Sequence, residues 1–463
     1  MLNNSQTALT STIAAIATPM GRGGVGVIRL SGPNSYQIAL ALTGRQAFKP
    51  RFAHFCRFYD RDNTVIDEGL VLYFPAPHSF TGEDVIELQG HGGMILQQQL
   101  LTRVFELGAN QAVAGEFSAR AFDNDKLDLV QAEAIADAID ATSVAAAKSA
   151  MRSLTGEFSQ KINTLLEQLI QLRLYVEAAI DFPDEEGVDF LADEHIAKQL
   201  RQVCEQLNNV LATAKQGQLL RDGVSVVIAG RPNAGKSSLL NRLAGQERAI
   251  VTDIAGTTRD ILQETIVLNG LTLNLTDTAG LRHTDDIVEQ AGIERARQAI
   301  TQADLLLMVY DAHREHEPLR LATELFGSLP NANSILMIAN KIDLSDNHQN
   351  LPKQFSSQEQ IYHPVYVSCK YGTGLEELVN QICDKVGFHP PENSLIARTR
   401  HLDALRRTQM ALQEADEQLH LFHAGELVAE SLRQAQLSLN EITGEFTADD
   451  LLGKIFGSFC IGK

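Results

Sequence analysis

The segment Gly230-Arg-Pro-Asn-Ala-Gly-Lys-Ser237 decides the fold of the central part of this chain. It follows the apolar run 224–229 and precedes a helix predicted over 238–243. Glycines at such a junction let backbone N–H groups close around phosphates, while Lys236 adds a positive charge and the Ser237 hydroxyl can ligate Mg²⁺. The N-terminus of the helix adds a partial positive charge. This spacing predicts a phosphate-binding loop between a strand and a helix.

Further apolar runs predict the rest of the same sheet. The runs 304–310, 334–339 and 364–367 alternate with helical segments, a pattern that indicates a parallel sheet covered on both faces. Another strand is predicted over 271–276, and Asp277-Thr-Ala-Gly280 follows it. Asp277 is expected beyond the metal ion, with the N–H group of Gly280 at the γ-phosphate.

Two segments predict that the base is guanine. Asn340-Lys-Ile-Asp343 follows one apolar strand, and Ser368-Cys-Lys370 follows the last one. The Asp343 carboxylate can accept hydrogen bonds from guanine N1–H and the 2-amino group, a donor pair that adenine lacks. Ser368-Cys-Lys370 is typical of the loop that backs the base in GTPases. Each segment alone could be a surface turn, but their order on one sheet predicts a GTPase.

Length, charge and cysteine content set outer limits on function. A chain of 463 residues suggests about three domains. A formal net charge of -19 argues against indiscriminate nucleic-acid binding, although a local basic patch is compatible with it. The five cysteines are widely spaced, so neither a zinc ribbon nor a disulfide framework is expected. Reduced thiols fit a cytoplasmic protein best. The polar start lacks the layout of a signal peptide, and no apolar run is long enough to predict a membrane span.

Changes of pattern along the chain predict its domain organisation. We expect an α+β N-terminal domain over 1–122, because short strand-like runs alternate with turns there. Helical sequence over 123–218 and again over 387–463 predicts one all-α helical domain in two parts. The α/β P-loop GTPase domain, of the Ras-like type, would occupy 219–386 as an insertion. The helices that flank it are expected to pack together, since each amphipathic face needs a partner.

The chain resembles the MnmE (TrmE) family of tRNA modification GTPases over nearly its whole length. The residues that carry the resemblance are 21–26, 90–93, 124–128, 181–184, 254–260 and the terminal Cys460-Ile-Gly-Lys463. The terminal segment discriminates best, because other G-domain proteins lack it. The resemblance implies a GTP hydrolase that works with the flavin-dependent partner MnmG (GidA) on tRNA. Together they would add a carboxymethylaminomethyl or aminomethyl group to carbon 5 of the wobble uridine.

The same resemblance implies the residues that bind the nucleotide, in five segments. They are Asn233, Ala234, Gly235, Lys236, Ser237 and Ser238; Thr252, Asp253, Ile254, Ala255, Gly256, Thr257 and Thr258; Asp277, Thr278, Ala279 and Gly280; Asn340, Lys341 and Asp343; and Ser368, Cys369 and Lys370. A homodimer is also implied, with 1–122 as its tetrahydrofolate-binding and dimerisation domain and with two G domains facing each other across the nucleotide. A heterotetramer with MnmG is implied as well.

The position after Asp277-Thr-Ala-Gly280 implies an unusual route to hydrolysis. Many small GTPases have a glutamine there that orients the attacking water, but this chain has Leu281. The resemblance assigns the water to Glu289, with Lys236 as the second catalytic residue. It also implies that K⁺ takes the place of an arginine finger. The implied metal ligands are Ser237 and Thr258 for Mg²⁺, and Asn233, Thr252, Ile254 and Thr257 for K⁺. The residues alone would also fit a solvated Glu289 at a helix start and a turn-forming Asn233.

The glycine-rich segment 21–26 spells G-x-G-x-x-G but leads into a predicted strand instead of a helix, so a Rossmann site is not expected. The resemblance implies a site for 5-formyl-tetrahydrofolate or methylene-tetrahydrofolate, formed by Arg29, Glu87, Lys126 and Lys463. Cations there suit ligand carboxylates, and Glu87 can accept from the amino-pyrimidinone ring. Without the resemblance, Arg29 and Glu87 would be surface charges on strands.

Two further features have alternative interpretations. The thiol of Cys460 could react, but burial as a small apolar residue is the commoner state; the tail itself is expected to dock in a pocket. One basic cluster could contact tRNA phosphates or could be a solvated helix face: Arg398, Arg400, His401, Arg406 and Arg407. The alternative functions are a ribosome-assembly GTPase without modification chemistry and a pure regulatory switch. The ribosome-assembly class typically adds a basic RNA-binding domain, and only the modification enzyme predicts folate binding.

Overall fold

A computed structural model of the protein describes the residues in nine ranges. They are 11–19, 21–181, 194–245, 263–277, 299–344, 351–389, 394–422, 424–444 and 449–462. The chain forms two compact units, of which the first comprises Met1–Ala136, Leu154–Glu167 and Arg433–Lys463. The second comprises Asp137–Ser153 and Gln168–Leu432. The domain boundaries expected from the sequence stay a prediction. Within the nine ranges, no helix is long and apolar enough to cross a membrane.

The strands are numbered in chain order. They are β1 Ile13–Ile16, β2 Gly23–Ser31, β3 His54–Tyr59, β4 Val65–Phe74, β5 Val85–Gly92, β6 Asn110–Gln111, β7 Val224–Ala229, β8 Gln263–Leu268, β9 Leu271–Asp277, β10 Leu305–Asp311, β11 Ile335–Asn340, β12 Phe355–Ser357, β13 Gln360–Tyr362 and β14 Pro364–Tyr366.

The helices are numbered in the same way. They are α1 Ser35–Thr43, α2 Met94–Glu106, α3 Glu116–Asp123, α4 Leu129–Asp140, α5 Val144–Leu154, α6 Glu157–Asp181, α7 Glu194–Asp222, α8 Lys236–Ala244, α9 Pro318–Phe326, α10 Leu375–Val386, α11 Thr399–Glu417, α12 Gly425–Thr443 and α13 Asp449–Gly457. A short π-helix, Gln418–Phe422, follows α11.

The N-terminal part is α+β, as predicted. Its six-stranded sheet has the order β3-β4-β5-β2-β1-β6. Alternate residues of β2 and β5, such as Ile28 and Leu88, are buried in one core together with α1 and α2. Segment 21–26 leads into β2, and β2 pairs antiparallel with β5. The glycine-rich segment therefore does not open a helix, which excludes the Rossmann interpretation.

The central sheet carries the predicted P-loop topology. Its order is β14-β11-β10-β7-β9-β8, and four of the five pairings are parallel. Alternation along β7 and β10 separates two cores: Val226 and Leu307 belong to one, while Val227 and Met308 belong to the other. Both faces of this sheet are therefore covered, as the apolar strands predicted.

The sixth strand of this sheet departs from the expectation of a purely parallel sheet. β8 pairs antiparallel with β9 in a hairpin. The two turn residues, Asn269 and Gly270, have φ values of 51° and 85°. Asn-Gly is the preferred pair for a two-residue hairpin turn that needs positive φ at both positions. The physical reason for the correction is thus local turn chemistry.

The helices that precede and follow the central sheet in the sequence, α7 and α11, pack together. The Gln409 side chain of α11 donates a 2.7 Å hydrogen bond to Asn208 of α7. A side chain at Gly217 would collide with the carbonyl oxygen of Leu395, because an added Cβ would lie 1.7 Å from it. The segment before α11 therefore runs directly against the backbone of α7.

A buried carboxylate binds the end of α7, just before the central sheet begins, and the residue that precedes α11. The Asp137 side chain is 4 % exposed and accepts a 2.8 Å bond from Arg221 Nε, at the end of α7. Arg398, just before α11, donates to it from NH2 at 2.8 Å and from Nε at 3.3 Å. One carboxylate therefore binds both the last turn of α7 and the N-cap residue of α11.

Candidate functional site

The loop between β7 and α8 lies where the sequence predicts a phosphate-binding loop, between a strand and the start of a helix. The Lys236 ammonium lies along the loop and donates to the carbonyls of Gly230 and Arg231 at 2.8 and 3.3 Å. Only glycine fits at position 230, because an added Cβ would lie 2.1 Å from the carbonyl oxygen of Val309. The sequence folds this way because the strand brings the loop against its neighbour β10. The lysine is thereby held at the start of a helix, where anions are favoured.

Asn340 connects this loop to the candidate base-binding loop. Its side chain is buried, and Nδ2 donates a 2.9 Å bond to the carbonyl of Ala234. Its Oδ1 accepts a 3.1 Å bond from the backbone N–H of Cys369. Gly235 has φ +102°, and an added Cβ there would lie 2.1 Å from Asn340 Nδ2. Sequence reasoning assigned Asn340 to nucleotide binding but missed that it also joins the two loops.

Asp343 is oriented by the loop that follows β14. Its Oδ1 accepts a 2.6 Å bond from the Ser368 hydroxyl. The neighbouring Lys341 donates a 2.8 Å bond to Asp311 at the end of β10. Burial disfavours the charged form of Asp311, but bonds from Lys341 and the His313 backbone outweigh it and lower the pKa of this carboxyl. Both candidate base-recognition side chains on this turn therefore have fixed orientations.

These loops surround one cavity of about 710 Å³, a size typical of small-molecule sites. The burial of Cys369 raises the pKa of its thiol, so this side chain lines the cavity as an uncharged thiol at neutral pH. The structure thus brings three of the predicted segments together. The predicted nucleotide residues that line the cavity are Gly235, Ser238, Asn340, Lys341, Asp343, Cys369 and Lys370.

Arg242 lines the same cavity and has no counterpart among the predictions. It lies in the last turn of α8 and donates from Nε to the carbonyl of Cys369 at 2.9 Å and from NH2 to that of Lys370 at 2.7 Å. No local sequence signal predicts these contacts, because they join residues more than 120 positions apart.

Some predicted site residues lie at or beyond the ends of the described ranges. Asp277 is the last residue of β9, and its backbone pairs with Ile228. Twelve others lie outside the described residues: Thr252, Asp253, Ile254, Ala255, Gly256, Thr257, Thr258, Thr278, Ala279, Gly280, Glu289 and Lys463.

In the N-terminal sheet, the structure brings Arg29 and Glu87 together. They face each other across the β2–β5 ladder, and Arg29 donates from NH2 and Nε to Glu87 Oε1 at 2.9 and 3.1 Å. Their side chains are only 25 % and 19 % exposed. The Arg29 guanidinium also lies 5.6 and 5.9 Å from the ring centroids of Phe80 and Phe117. This is a half-buried pair in an aromatic setting and not a solvated surface charge.

The loop that carries Phe80 also lies close to Lys126. An added Cβ at Gly82 would lie 3.1 Å from the Cε atom of Lys126. Next to it, the buried Arg120 binds Glu83 at 3.1 Å and Glu116 at 2.9 Å. Sequence reasoning missed Arg120, which holds this loop in place.

The C-terminal tail docks against the same part of the chain. Phe459 is buried, Ile461 forms an antiparallel bridge with Ala114, and an added Cβ at Gly462 would lie 2.4 Å from the carbonyl oxygen of Ile16. Docking of the tail was expected. Burial of Cys460 was also the commoner expectation, and it is wrong, because Cys460 is exposed. The tail is anchored through its neighbours, so the thiol faces outward.

The basic cluster before and within α11 is only partly a surface feature. Arg398 is bound to Asp137, and His401 is 1 % exposed and accepts the Arg398 backbone N–H at 3.1 Å. Arg406 and Arg407 are exposed, and Arg406 pairs with Asp403 at 3.2 Å. Two of the five candidates, Arg398 and His401, therefore have structural partners, and for them the alternative interpretation as a solvated helix face is wrong. Contact of the cluster with tRNA stays a prediction.

Comparison with known proteins agrees with this architecture. The family model described as MnmE helical domain matches residues 129–460, and that described as GTP-binding protein TrmE N-terminus matches residues 12–126. The tRNA modification GTPase MnmE of Psychrobacter arcticus is 73 % identical over 470 residues, covering 100 % of this chain and 98 % of the relative. That of Psychrobacter cryohalolentis is 75 % identical over 460 residues, covering 98 % and 96 %.

A more distant relative, the MnmE protein of Acinetobacter baumannii, is 63 % identical over 453 residues, and the match covers 98 % of each chain. The MnmE helical-domain match includes the P-loop and the guanine-type loops, and the match to the Psychrobacter arcticus protein covers the whole chain. The chain therefore belongs to the MnmE family of tRNA modification GTPases and is a GTP-binding hydrolase.

Proposed function

We propose that this GTPase hydrolyses GTP with the help of K⁺ and acts in the cytoplasm with a flavin-dependent partner, MnmG. Together they would add a carboxymethylaminomethyl or aminomethyl group to carbon 5 of the wobble uridine of certain tRNAs. The single observation that supports this most is the pair of loops joined by Asn340. It places the P-loop residues Gly235 and Ser238 and the guanine-type carboxylate of Asp343 around one nucleotide-sized cavity.

The residues of the P-loop fit the proposed metal ions. The side chains of Ser237 and Asn233 are exposed on the loop, so their oxygens are accessible to ions. Asn233 has φ +63°, a left-handed conformation that asparagine tolerates better than most residues. Ser237 and Thr258 would hold Mg²⁺. Asn233, Thr252, Ile254 and Thr257 would hold K⁺, which would supply the positive charge that other GTPases take from an arginine finger.

The chain's own residues would then carry the rest of the chemistry. Lys236 holds a fixed positive charge at the phosphates, and a preorganised charge of this kind favours a transition state in which phosphate charge is redistributed. Leu281 can neither donate nor accept a hydrogen bond, so Glu289 would orient the attacking water. The two G domains of a homodimer would face each other across the nucleotide and complete this arrangement.

The N-terminal site fits tetrahydrofolate. Both bonds of the Arg29–Glu87 pair end on Oε1 of Glu87. The pair does not use Glu87 Oε2 or Arg29 NH1. Oε2 could accept from a donor of the ligand, and NH1 could donate to an acceptor of the ligand. Phe80 and Phe117 beside Arg29 offer apolar surface for a flat ring. Lys126 and Lys463 would complete the site for 5-formyl-tetrahydrofolate or methylene-tetrahydrofolate, which would supply the one-carbon group.

Replacement of Arg29 tests this site. We expect Arg29→Ala to weaken 5-formyl-tetrahydrofolate binding by about 10- to 100-fold, as loss of a hydrogen bond from a charged group does. Calorimetric titration of the full chain measures the change. Arg57→Ala is the matched control, because Arg57 pairs with Glu68 on the same sheet but is 61 % exposed. No folate binding by the wild-type protein would count against the modification function, whereas equal losses in the two variants would remove only the role of Arg29.

The tRNA and protein partners follow from the family. We propose a homodimer that forms a heterotetramer with MnmG and presents part of the basic cluster to tRNA. Arg406 and Arg407 are its two exposed members on α11. With a net charge of -19, such a local patch would be needed to attract an RNA phosphate backbone.

A further inference from the structure

A single helix, α8, connects the P-loop to an arginine that binds the candidate base loop. α8 begins with Lys236 of the P-loop and carries Arg242 in its last turn. Nine residues at about 1.5 Å each make this helix about 13 Å long. The helix is rigid on this scale, so Arg242 is fixed relative to the phosphate loop. Its position at the C-terminal end also suits a cation, because the last carbonyls carry partial negative charge.

Arg242 holds two consecutive carbonyls of the candidate base loop. The bonds to Cys369 and Lys370 measure 2.9 and 2.7 Å. The planar guanidinium presents donors in a fixed fork, so two bonds define the orientation of both peptide planes. The opposite edge of the loop is held by Asn340 through the N–H group of Cys369. Residues 368–370 are therefore fixed from two sides.

The second of these peptide planes starts a chain of hydrogen bonds. In the peptide that joins Lys370 to Tyr371, the carbonyl oxygen accepts a bond from Arg242. The N–H of the same peptide donates to the Ser368 hydroxyl at 3.4 Å. That hydroxyl donates to Asp343 Oδ1 at 2.6 Å. Because the peptide is planar, turning its carbonyl also turns its N–H. The orientation of the Asp343 carboxylate thus depends on Arg242 through one peptide and one hydroxyl.

We propose that Arg242 is a positioning residue for guanine selectivity, which acts by orienting Asp343 and not by touching the base. The proposal rests on the proposed role of Asp343 in binding the guanine N1–H and 2-amino groups. Without Arg242, the carbonyls of Cys369 and Lys370 lose the bonds that orient them, and the Tyr371 N–H that meets the Ser368 hydroxyl loses its fixed direction. The phosphate loop keeps its own contacts, so the loss should fall on recognition of the 2-amino group.

The test compares GDP with IDP, whose base lacks the 2-amino group, by calorimetry on the full chain. We expect Arg242→Ala to lower the ratio of GDP to IDP affinity roughly tenfold, the size of one lost hydrogen bond to a charged group. Arg242→Lys should restore little of it, because an ammonium lacks the fork that spans both carbonyls. Arg320→Ala is the control: Arg320 is 74 % exposed on α9 and pairs only with Glu317 and Glu324 among the described residues, so the ratio should stay unchanged.

Asp343→Asn in the same assay separates this proposal from the one it rests on. If Asp343→Asn leaves the ratio unchanged, the guanine role of Asp343 is wrong. If Asp343→Asn lowers the ratio and Arg242→Ala does not, only the positioning role is overturned. In the double variant of Arg242→Ala and Asp343→Asn, the ratio of GDP to IDP affinity should fall no further than in Asp343→Asn alone, since the effects of coupled residues are not additive. Fully additive losses in this ratio would also overturn the positioning role. Should Arg242→Ala not fold, Ser368→Ala cuts the same chain of bonds and decides in its place.

Discussion

Asp343→Asn is expected to weaken GTP binding by about 10²- to 10⁴-fold, since two hydrogen bonds to a charged acceptor each contribute about 1.5–3 kcal/mol. The same substitution should create affinity for XTP. Xanthine carries a carbonyl where guanine carries the 2-amino group, and the asparagine amide can donate to it. The Ser368 hydroxyl, which donates to Asp343 Oδ1 in the wild type, would donate to the amide oxygen of the new side chain and keep it directed into the cavity.

Equilibrium titration with both nucleotides measures this exchange of specificity. Asp384→Asn is the matched control, because Asp384 lies on α10 of the same unit and is 57 % exposed. It should bind GTP as the wild type does and should gain nothing toward XTP. A variant at position 343 that loses GTP without gaining XTP would point to general damage of the site and would contradict guanine recognition by this residue.

Asp137→Ala is expected to destabilise the second compact unit by about 3–5 kcal/mol, because removing one partner of a buried ion pair leaves uncompensated charge. Two arginines lose the Asp137 acceptor at once: Arg398 is 14 % exposed and Arg221, which keeps its pair with Asp222, is 32 % exposed. Both lie where the chain passes between the helical segments and the central sheet. Loosening them should also loosen the connection between α7 and α11.

Urea unfolding followed by circular dichroism gives the measurement, since the chain contains no tryptophan. The control is Asp403→Ala, which removes a pair with Arg406 in which both side chains are 57 % exposed. Such surface pairs contribute at most about 1 kcal/mol. Equal unfolding midpoints for the two variants would mean that the Asp137 cluster is no stronger than an ordinary surface bridge.

Local patterns predicted the parts of the structure that depend on neighbouring residues. The strand, loop and helix around Lys236 follow from an apolar run, glycines and helix-forming residues in sequence. The hairpin of β8 and β9 was missed although Asn269-Gly270 is a recognisable hairpin signal. The other strands of this sheet are predicted by continuous apolar runs, whereas the edge strand β8 is predicted only by the turn that joins it to β9.

Long-range contacts set the limit of prediction from sequence. Neither the bridge made by Asn340 nor the bonds of Arg242 are encoded in local spacing, because the fold brings distant loops together. The same holds for His401, which looked like part of a basic surface and is buried beside Arg398. Cys460 shows the reverse: its apolar neighbours are anchored, and the thiol between them is exposed.

The most direct test of the potassium mechanism is GTP turnover in KCl and in NaCl at equal ionic strength, so that screening is the same in both. The variant of choice is Asn233→Gly, which removes the side chain and tolerates the φ of +63° that would strain alanine. We predict that wild-type turnover is faster in KCl by on the order of 10²-fold, the usual effect of one preorganised charge-stabilising group. The variant should be slow in both salts. Equal wild-type rates in the two salts would contradict the proposed mechanism.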